Sequence, residues 1–325
     1  MMSKLACTLV SAAFGLAVSS GAVAQEANYP SKPIDFMVGY AVGGSADSIA
    51  RIVMPELSKR IGQTIILDNR AGAGGVIGLS AIKNAKPDGY TMGIGTGGAL
   101  TANVHLIPTL PYNPQKDFEP VSMLINFPIV LAVSSTSKIT SLQDLIKHVK
   151  AGNKVNFGSA GLGSSTHLAG ELLNQMAGIN MEHVAYKGLG PAQTDLLGGH
   201  LEAVMTDLPS VISMVQSGRV RLLGTASAER SALAPDVPTI AEAGVPGYSF
   251  RTWISLLMPA GTPKPVVNRI SKELGVVLRD PEMVKRIHAS GGEPMPTTPE
   301  EMRDIIKADT ETTGKIIRSA GIKLN

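Results

Sequence analysis

A single cysteine, Cys7, one tryptophan and 4% aromatic residues are the scarcest features of this 325-residue chain. Cys7 falls in an apolar N-terminal segment, so the rest of the chain has no thiol for a disulfide, a nucleophile or a thiolate metal site. So few aromatics argue against a stacking platform for sugars or bases. The formal charge is only +3, one unit of it from Lys4, and no block of like charge occurs; neither nucleic acid nor an anionic membrane surface is expected as a partner. Six histidines at 105, 148, 167, 183, 200 and 288 form no H-E-x-x-H, and Glu182 beside His183 has no second histidine at helical spacing, so no metal is expected. A complete G-x-G-x-x-G is missing as well: Gly72-Ala73-Gly74-Gly75 comes nearest, with Ile77 where the last glycine belongs. No G-x-S-x-G elbow marks a serine nucleophile. No catalytic residue and no cofactor is assigned.

The N-terminus reads as an export leader. Lys4 supplies the positive charge, Leu5 to Val18 an apolar run, and Ala22-Val23-Ala24 a small-residue cleavage site, giving a leader over 1–24 and Gln25 as the new terminus. The run is too short, and too interrupted by Ser, Thr and Gly, for a membrane span. Lys4 rather than Leu stands three places before Cys7, against lipid attachment. About three hundred residues at 44% hydrophobic then remain, enough for a buried core and near the size where one core becomes two.

Three glycine-rich turns follow apolar strand-like runs and open onto helical patterns: Gly43-Gly44-Ser45-Ala46-Asp47, Gly95-Thr96-Gly97-Gly98, and Gly158 to His167. Such turns expose main-chain N–H groups, and a helix start adds unpaired donors and a positive dipole end, so a point where they converge attracts an anion. With no reactive group alongside, the pattern favours capture of a small carboxylate over chemistry on it. Strand runs at Ile34–Val38, Thr64–Leu67, Thr91–Ile94, Ile129–Val133, Val155–Gly158, His183–Tyr186, Glu202–Met205 and Arg221–Gly224 alternate with helical patterns, which predicts an α/β protein with largely parallel sheets. Trp253 to Met258 reads as a further strand. After it come three charged amphipathic helices, each opened by a proline: Pro265, Pro281 and Pro299. These shifts predict a lobe made of 26–126 plus 251–325, with a second lobe, 127–250, inserted into it.

In the first turn, Ser45 can cap a helix and Asp47 lies in that helix's first turn; each fits either a ligand site or a satisfied helix end. The third turn carries Ser159, Ser164, Ser165 and Thr166, hydroxyls that suit a carboxylate without placing a full positive charge beside it, with His167 behind them. Asp207 follows a strand and precedes a helix begun by Pro209; it either accepts from an amino or hydroxy acid or caps that helix. Arg51 and Lys187 are candidate countercharges.

The chain resembles the periplasmic solute receptors of tripartite tricarboxylate transporters, the Bug family. The resemblance rests on Tyr29-Pro30-Ser31-Lys32-Pro33-Ile34, the 43–47 turn with Ala50-Arg51, Asn69 to Gly75, Pro87-Asp88-Gly89-Tyr90-Thr91, Asp117 to Val121, His167 to Glu171, Tyr186-Lys187-Gly188, Asp195 to Gly199 and Asp236-Val237-Pro238-Thr239. It implies a two-lobed, type II-like periplasmic binding protein, each lobe a mixed, mainly parallel sheet flanked by helices, that closes on an organic acid and presents it to a small and a large membrane subunit. It places the ligand on Gly43, Gly44, Ser45 and Asp47, on Gly161, Gly163, Ser164, Ser165 and Thr166, and on Gly95, Thr96, Gly97, Gly98 and Asp207. A monomer is expected. Val42 stands where the family more often has proline, and Thr206 where a larger apolar residue is common. An exported hydrolase using a serine in 159–165 and a sensor for a signalling partner are the rival readings.

Overall fold

The computed structural model describes residues 29–40, 42, 45–186 and 189–323; the expected leader, Gly43, Gly44 and Lys187 lie outside them. The strands are β1 (Ile34–Val38), β2 (Ile65–Asn69), β3 (Thr91–Thr96), β4 (Phe118–Phe127), β5 (Ile129–Ser134), β6 (Asn156–Ser159), β7 (Glu182–Ala185), β8 (Ala203–Asp207), β9 (Val220–Thr225), β10 (Thr252–Pro259) and β11 (Glu293–Pro294). The helices are α1 (Ser45–Ile61), α2 (Val76–Lys83), α3 (Asn103–Leu106), α4 (Leu142–Lys150), α5 (Ser165–Ala177), α6 (Leu189–Gly198), α7 (Leu208–Gln216), α8 (Lys264–Arg279), α9 (Pro281–Ala289) and α10 (Pro299–Ser319), with a π-helical turn at Gly98–Ala102.

Two sheets result, ordered β11-β4-β10-β3-β1-β2 and β7-β6-β8-β5-β9. Both are mixed, as expected. Parallel pairings do not dominate, however: β1 pairs in parallel with β2 and β3, and β6 with β7 and β8, while the other five pairings are antiparallel. The reason lies in the chain's passages between the sheets. β4 runs through Pro128 directly into β5, and the chain returns to the first sheet as β10. Each arriving strand inserts between two others and runs against both: β5 between β8 and β9, β10 between β3 and β4. Apart from two-residue β11, the remaining strands of each sheet share one direction, which is the βαβ signal visible in the sequence.

β4 escapes a strand reading because Pro120 interrupts it. Proline is tolerated there because Pro120 lies at a register shift against β10 and beyond the reach of β11. The three tail helices begin where proline indicated; Thr298 and Glu301 complete a capping box on α10 through bonds of 3.2 and 2.8 Å.

Helices cover both faces of each sheet. α1, α8 and α9 bury Ile49, Val53, Leu57, Ile270 and Leu274 against Phe36 and Ile94, while α4 and α5 bury Leu145, Leu168 and Leu173 against Leu131 and Phe157. α10 belongs to both halves. Its Met302 and Ile306 pack with Trp253 and Leu257 of the first sheet, and its Ile316 and Ile317 with the Leu131–Phe157 core of the second.

Candidate ligand cleft

A cleft of about 510 Å³ opens between the two sheets. One wall carries Tyr40, Ser45, Ala46 and Thr96; the other carries Ala160, Ser164, Ser165, Thr166, Leu189 and Asp207; the interlobe passages supply Phe127, Thr252, Trp253 and Ile254. Two long helices therefore begin on the same space from opposite sides, α1 at Ser45 and α5 at Ser165. Ser164 is the N-cap of α5 in extended conformation, and its Oγ accepts from the His167 amide at 3.2 Å. The Ser165 and Thr166 amides find no acceptor among the described residues, so two main-chain donors and a positive helix end face the cleft.

Most amides of the glycine turn behind α5 are committed within the turn. Ala160 N–H donates to Thr166 Oγ1 (3.0 Å), Gly161 N–H to Ser159 Oγ (3.1 Å), Gly163 N–H to His167 Nδ1 (3.0 Å) and Ser164 N–H to Gly161 O (3.2 Å). Gly161 and Gly163, expected on the ligand, are off the lining. Their φ angles of +136° and +73° make the turn that delivers α5. Thr166 lines the cleft while spending its hydroxyl on the turn.

Behind the turn the structure holds a pair that sequence spacing could not assign. Ser159 Oγ and His183 Nε2 are 2.6 Å apart, and the His183 ring stacks on His167 with centroids 3.6 Å apart. Burial, and then the neighbouring His167, push the His183 pKa down to about 4. It is a neutral prop. Ser159 is fully buried, which removes it from any substrate in the cleft.

On the opposite wall Asp47 is buried and off the lining. Its Oδ1 accepts from Asn69 Nδ2 at 3.0 Å and its Oδ2 pairs with Arg51 Nε at 2.8 Å, so it braces the start of α1 against β2. Arg51 is thereby a countercharge to Asp47 rather than to the cleft. Thr96 does line the cleft, its Oγ1 2.6 Å from Tyr40 Oη. Gly95 packs inside β3, where a Cβ would strike Leu100 and Leu257. Gly97 and Gly98 line a smaller cavity of about 210 Å³ with Thr101, Arg251 and Asp309, which shares Ser165 and Trp253 with the main cleft.

Asp207 closes β8 opposite Ile129, and the next amide, Leu208 N–H, donates to Pro128 O at 2.8 Å. The side chain makes no capping bond to α7, so the capping alternative fails. Burial alone raises its pKa to about 6. Thr206, which stands where the family more often has a larger apolar residue, is fully buried and held by Gln193 Nε2 and Ser210 Oγ at 2.9 and 3.0 Å.

Sequence reasoning missed the apolar walls: Tyr40, Phe127, Leu189, Trp253 and Ile254. A signal was available for two of them. Phe127 and Trp253 sit within two residues of the predicted passages between lobes, and residues there border any interlobe cleft.

A model of the tripartite tricarboxylate transporter family receptor matches residues 49–322. The UPF0065 protein from the tcbD-tcbE intergenic region of Pseudomonas sp. (strain P51) is 38% identical over 89% of this chain and 86% of that protein. Protein BugT of Bordetella pertussis (strain Tohama I) is 34% identical over 98% of this chain and 99% of its own. Among solved structures, R. palustris Rpa4515 with adipate is 32% identical, superposes with a TM-score of 0.77, and covers 91% of this chain and 100% of its own.

Proposed function

The chain belongs to the tripartite tricarboxylate transporter receptor family, and from that premise we propose that its interlobe cleft captures a small organic acid, which the closed receptor then hands to a small and a large membrane subunit. The observation carrying this reading is the meeting of two helix N-termini from opposite sheets, Ser45–Ala46 and Ser164–Thr166, on one cleft. Two such termini stabilise a carboxylate by hydrogen bonds and by opposed dipoles, and the described lining adds no cation that would hold the ligand too tightly to release. The adipate carried by the R. palustris relative supports the ligand class.

The mechanism is a clamshell. The carboxylate docks on one wall, rotation brings the other wall's donors to it, and contacts made only in the closed form shift the population toward closure. Exclusion of water strengthens each of those bonds. The moving bodies are 26–126 with 251–325, and 127–250, joined at the Phe127–Ile129 and 250–252 passages. The receptor acts in the periplasm as a monomer after removal of 1–24, and does no chemistry on its ligand. No described helix is long and apolar enough to cross a membrane.

Co-purified acids identified by mass spectrometry, followed by calorimetry on the stripped protein, test the reading. Ser45→Tyr and Ser165→Tyr each place a ring in the cleft at a residue whose backbone bonds stay intact. Both should abolish the ligand-induced rise in melting temperature while leaving the unliganded melting temperature within a few degrees. Unchanged ligand shifts in both variants reject the site.

A further inference from the structure

Among the described residues that line the cleft, Asp207 is the only one charged at neutral pH. Its carboxylate is mostly buried, accepts no hydrogen bond from any described residue and belongs to the cleft lining. A carboxylate held in such a place without a partner is costly unless something else supplies one. Its position leaves it little freedom to find one in the protein: Asp207 is in register with Ile129, and the adjoining Leu208 N–H is committed to Pro128 O. Among the described residues no donor meets it, and a ligand in the cleft is placed to supply one.

The rest of the lining determines where the two ends of a ligand would lie. Ser45–Ala46 and Ser165–Thr166 open helices and attract a carboxylate, while Phe127, Leu189 and Ile254 are apolar and accommodate a hydrocarbon stem. Resting on the carboxylate cleft proposed above, we propose that the ligand is a monocarboxylate whose other end bears a hydrogen-bond donor, an ammonium being the fullest match, and that Asp207 accepts from it. Asp207 is then the residue that sets specificity against dicarboxylates. A diacid in the same orientation turns its second carboxylate toward Asp207, and like charges in a water-poor cleft require one of them to take up a proton.

Calorimetry with pairs matched in the number of methylenes tests this: β-alanine against succinate, 4-aminobutanoate against glutarate, 5-aminopentanoate against adipate. The amino member should bind at least tenfold more tightly than its diacid in the pair whose length fits. Asp207→Asn should cut that preference at least tenfold by weakening the amino acid and strengthening the diacid. A second readout needs no variant. Near pH 6, titrations in two buffers of different ionisation enthalpy should report proton release on binding the amino acid, because an ammonium favours the ionised carboxylate; a diacid should cause uptake.

A diacid that binds more tightly than its amino partner, is blocked by Ser45→Tyr, and keeps its advantage in Asp207→Asn overturns the inference while leaving the carboxylate cleft standing. Failure of every member of both series to bind the folded wild-type protein overturns both.

Discussion

Two buried polar groups of the second sheet are built to opposite plans. His183, behind α5, is neutral, stacked on His167 and bonded to Ser159 Oγ. The carboxylate of Asp207, on the cleft lining, accepts no hydrogen bond from any described residue. The first arrangement satisfies itself and holds the turn that aims the Ser165 and Thr166 amides. In the proposal above, the second is completed by a donor on the ligand. Both residues are partly buried, so hydrogen-bond accounting, not exposure, separates the prop from the proposed recognition point.

Breaking the prop should have the largest effect. His167→Ala removes the acceptor of Gly163 N–H and the ring beneath His183, and should destabilise the fold by about 2–4 kcal/mol, read as a lower urea midpoint, with weaker ligand binding as well. A prop confined to packing would leave the affinity of the still-folded variant unchanged. Titration sharpens the comparison next. His183 has its pKa lowered from 6.5 to about 4, so the unfolded chain binds a proton before the folded one, and stability falls as pH drops through that window. Asp207 has its pKa raised from 3.8 to about 6, so its folded form binds a proton first, and stability falls as pH rises from about 4 through 6. The two slopes oppose each other in the unliganded protein. Asp207→Asn should therefore raise the melting temperature at pH 7.5 by a few degrees and steepen the loss of stability between pH 6.5 and 4. A melting profile identical to wild type across this range contradicts that assignment. The smallest effect is expected of Ser165→Ala. It deletes only the hydroxyl that accepts from Thr252 Oγ1 and leaves the Ser165 amide in place, so stability should change by about 0.5 kcal/mol or less and affinity by less than about threefold in calorimetry. A loss like that of Ser165→Tyr would move the ligand contact from backbone to side chain.

Much of this was legible before any coordinates. The strand at Ile34–Val38 and the helix after it follow from periodicity, and the proline-led tail helices begin where those prolines stand. Ser45, Thr96, Ser164, Ser165, Thr166 and Asp207 were named from turn chemistry, and all of them line one cleft. Gly161 and Gly163 are off the lining for a physical reason. Flexible backbone and exposed amides look alike in a sequence, but in the Gly158–His167 turn the neighbouring hydroxyls and His167 use most of those amides internally. Asp47 was equally ambiguous, because its partner Asn69 lies on a neighbouring strand 22 positions away. The Ser159–His183 bond spans 24 positions between parallel strands β6 and β7, a distance over which no local pattern carries information. Three aromatics, Tyr40, Phe127 and Trp253, line the cleft, a grouping that composition does not reveal.

α10 bears on how far the receptor can open. Two extended strands make a compliant joint, whereas a rod with one end set in each half limits the sweep. Met302 and Ile306 anchor one end beneath the first sheet, and Ile316 and Ile317 the other beneath the second. In the proposed clamshell this helix must flex or slide at one seat with every cycle. Leverage at its far end, more than forty positions from any residue on the cleft, would then tune capture and release without touching the cargo.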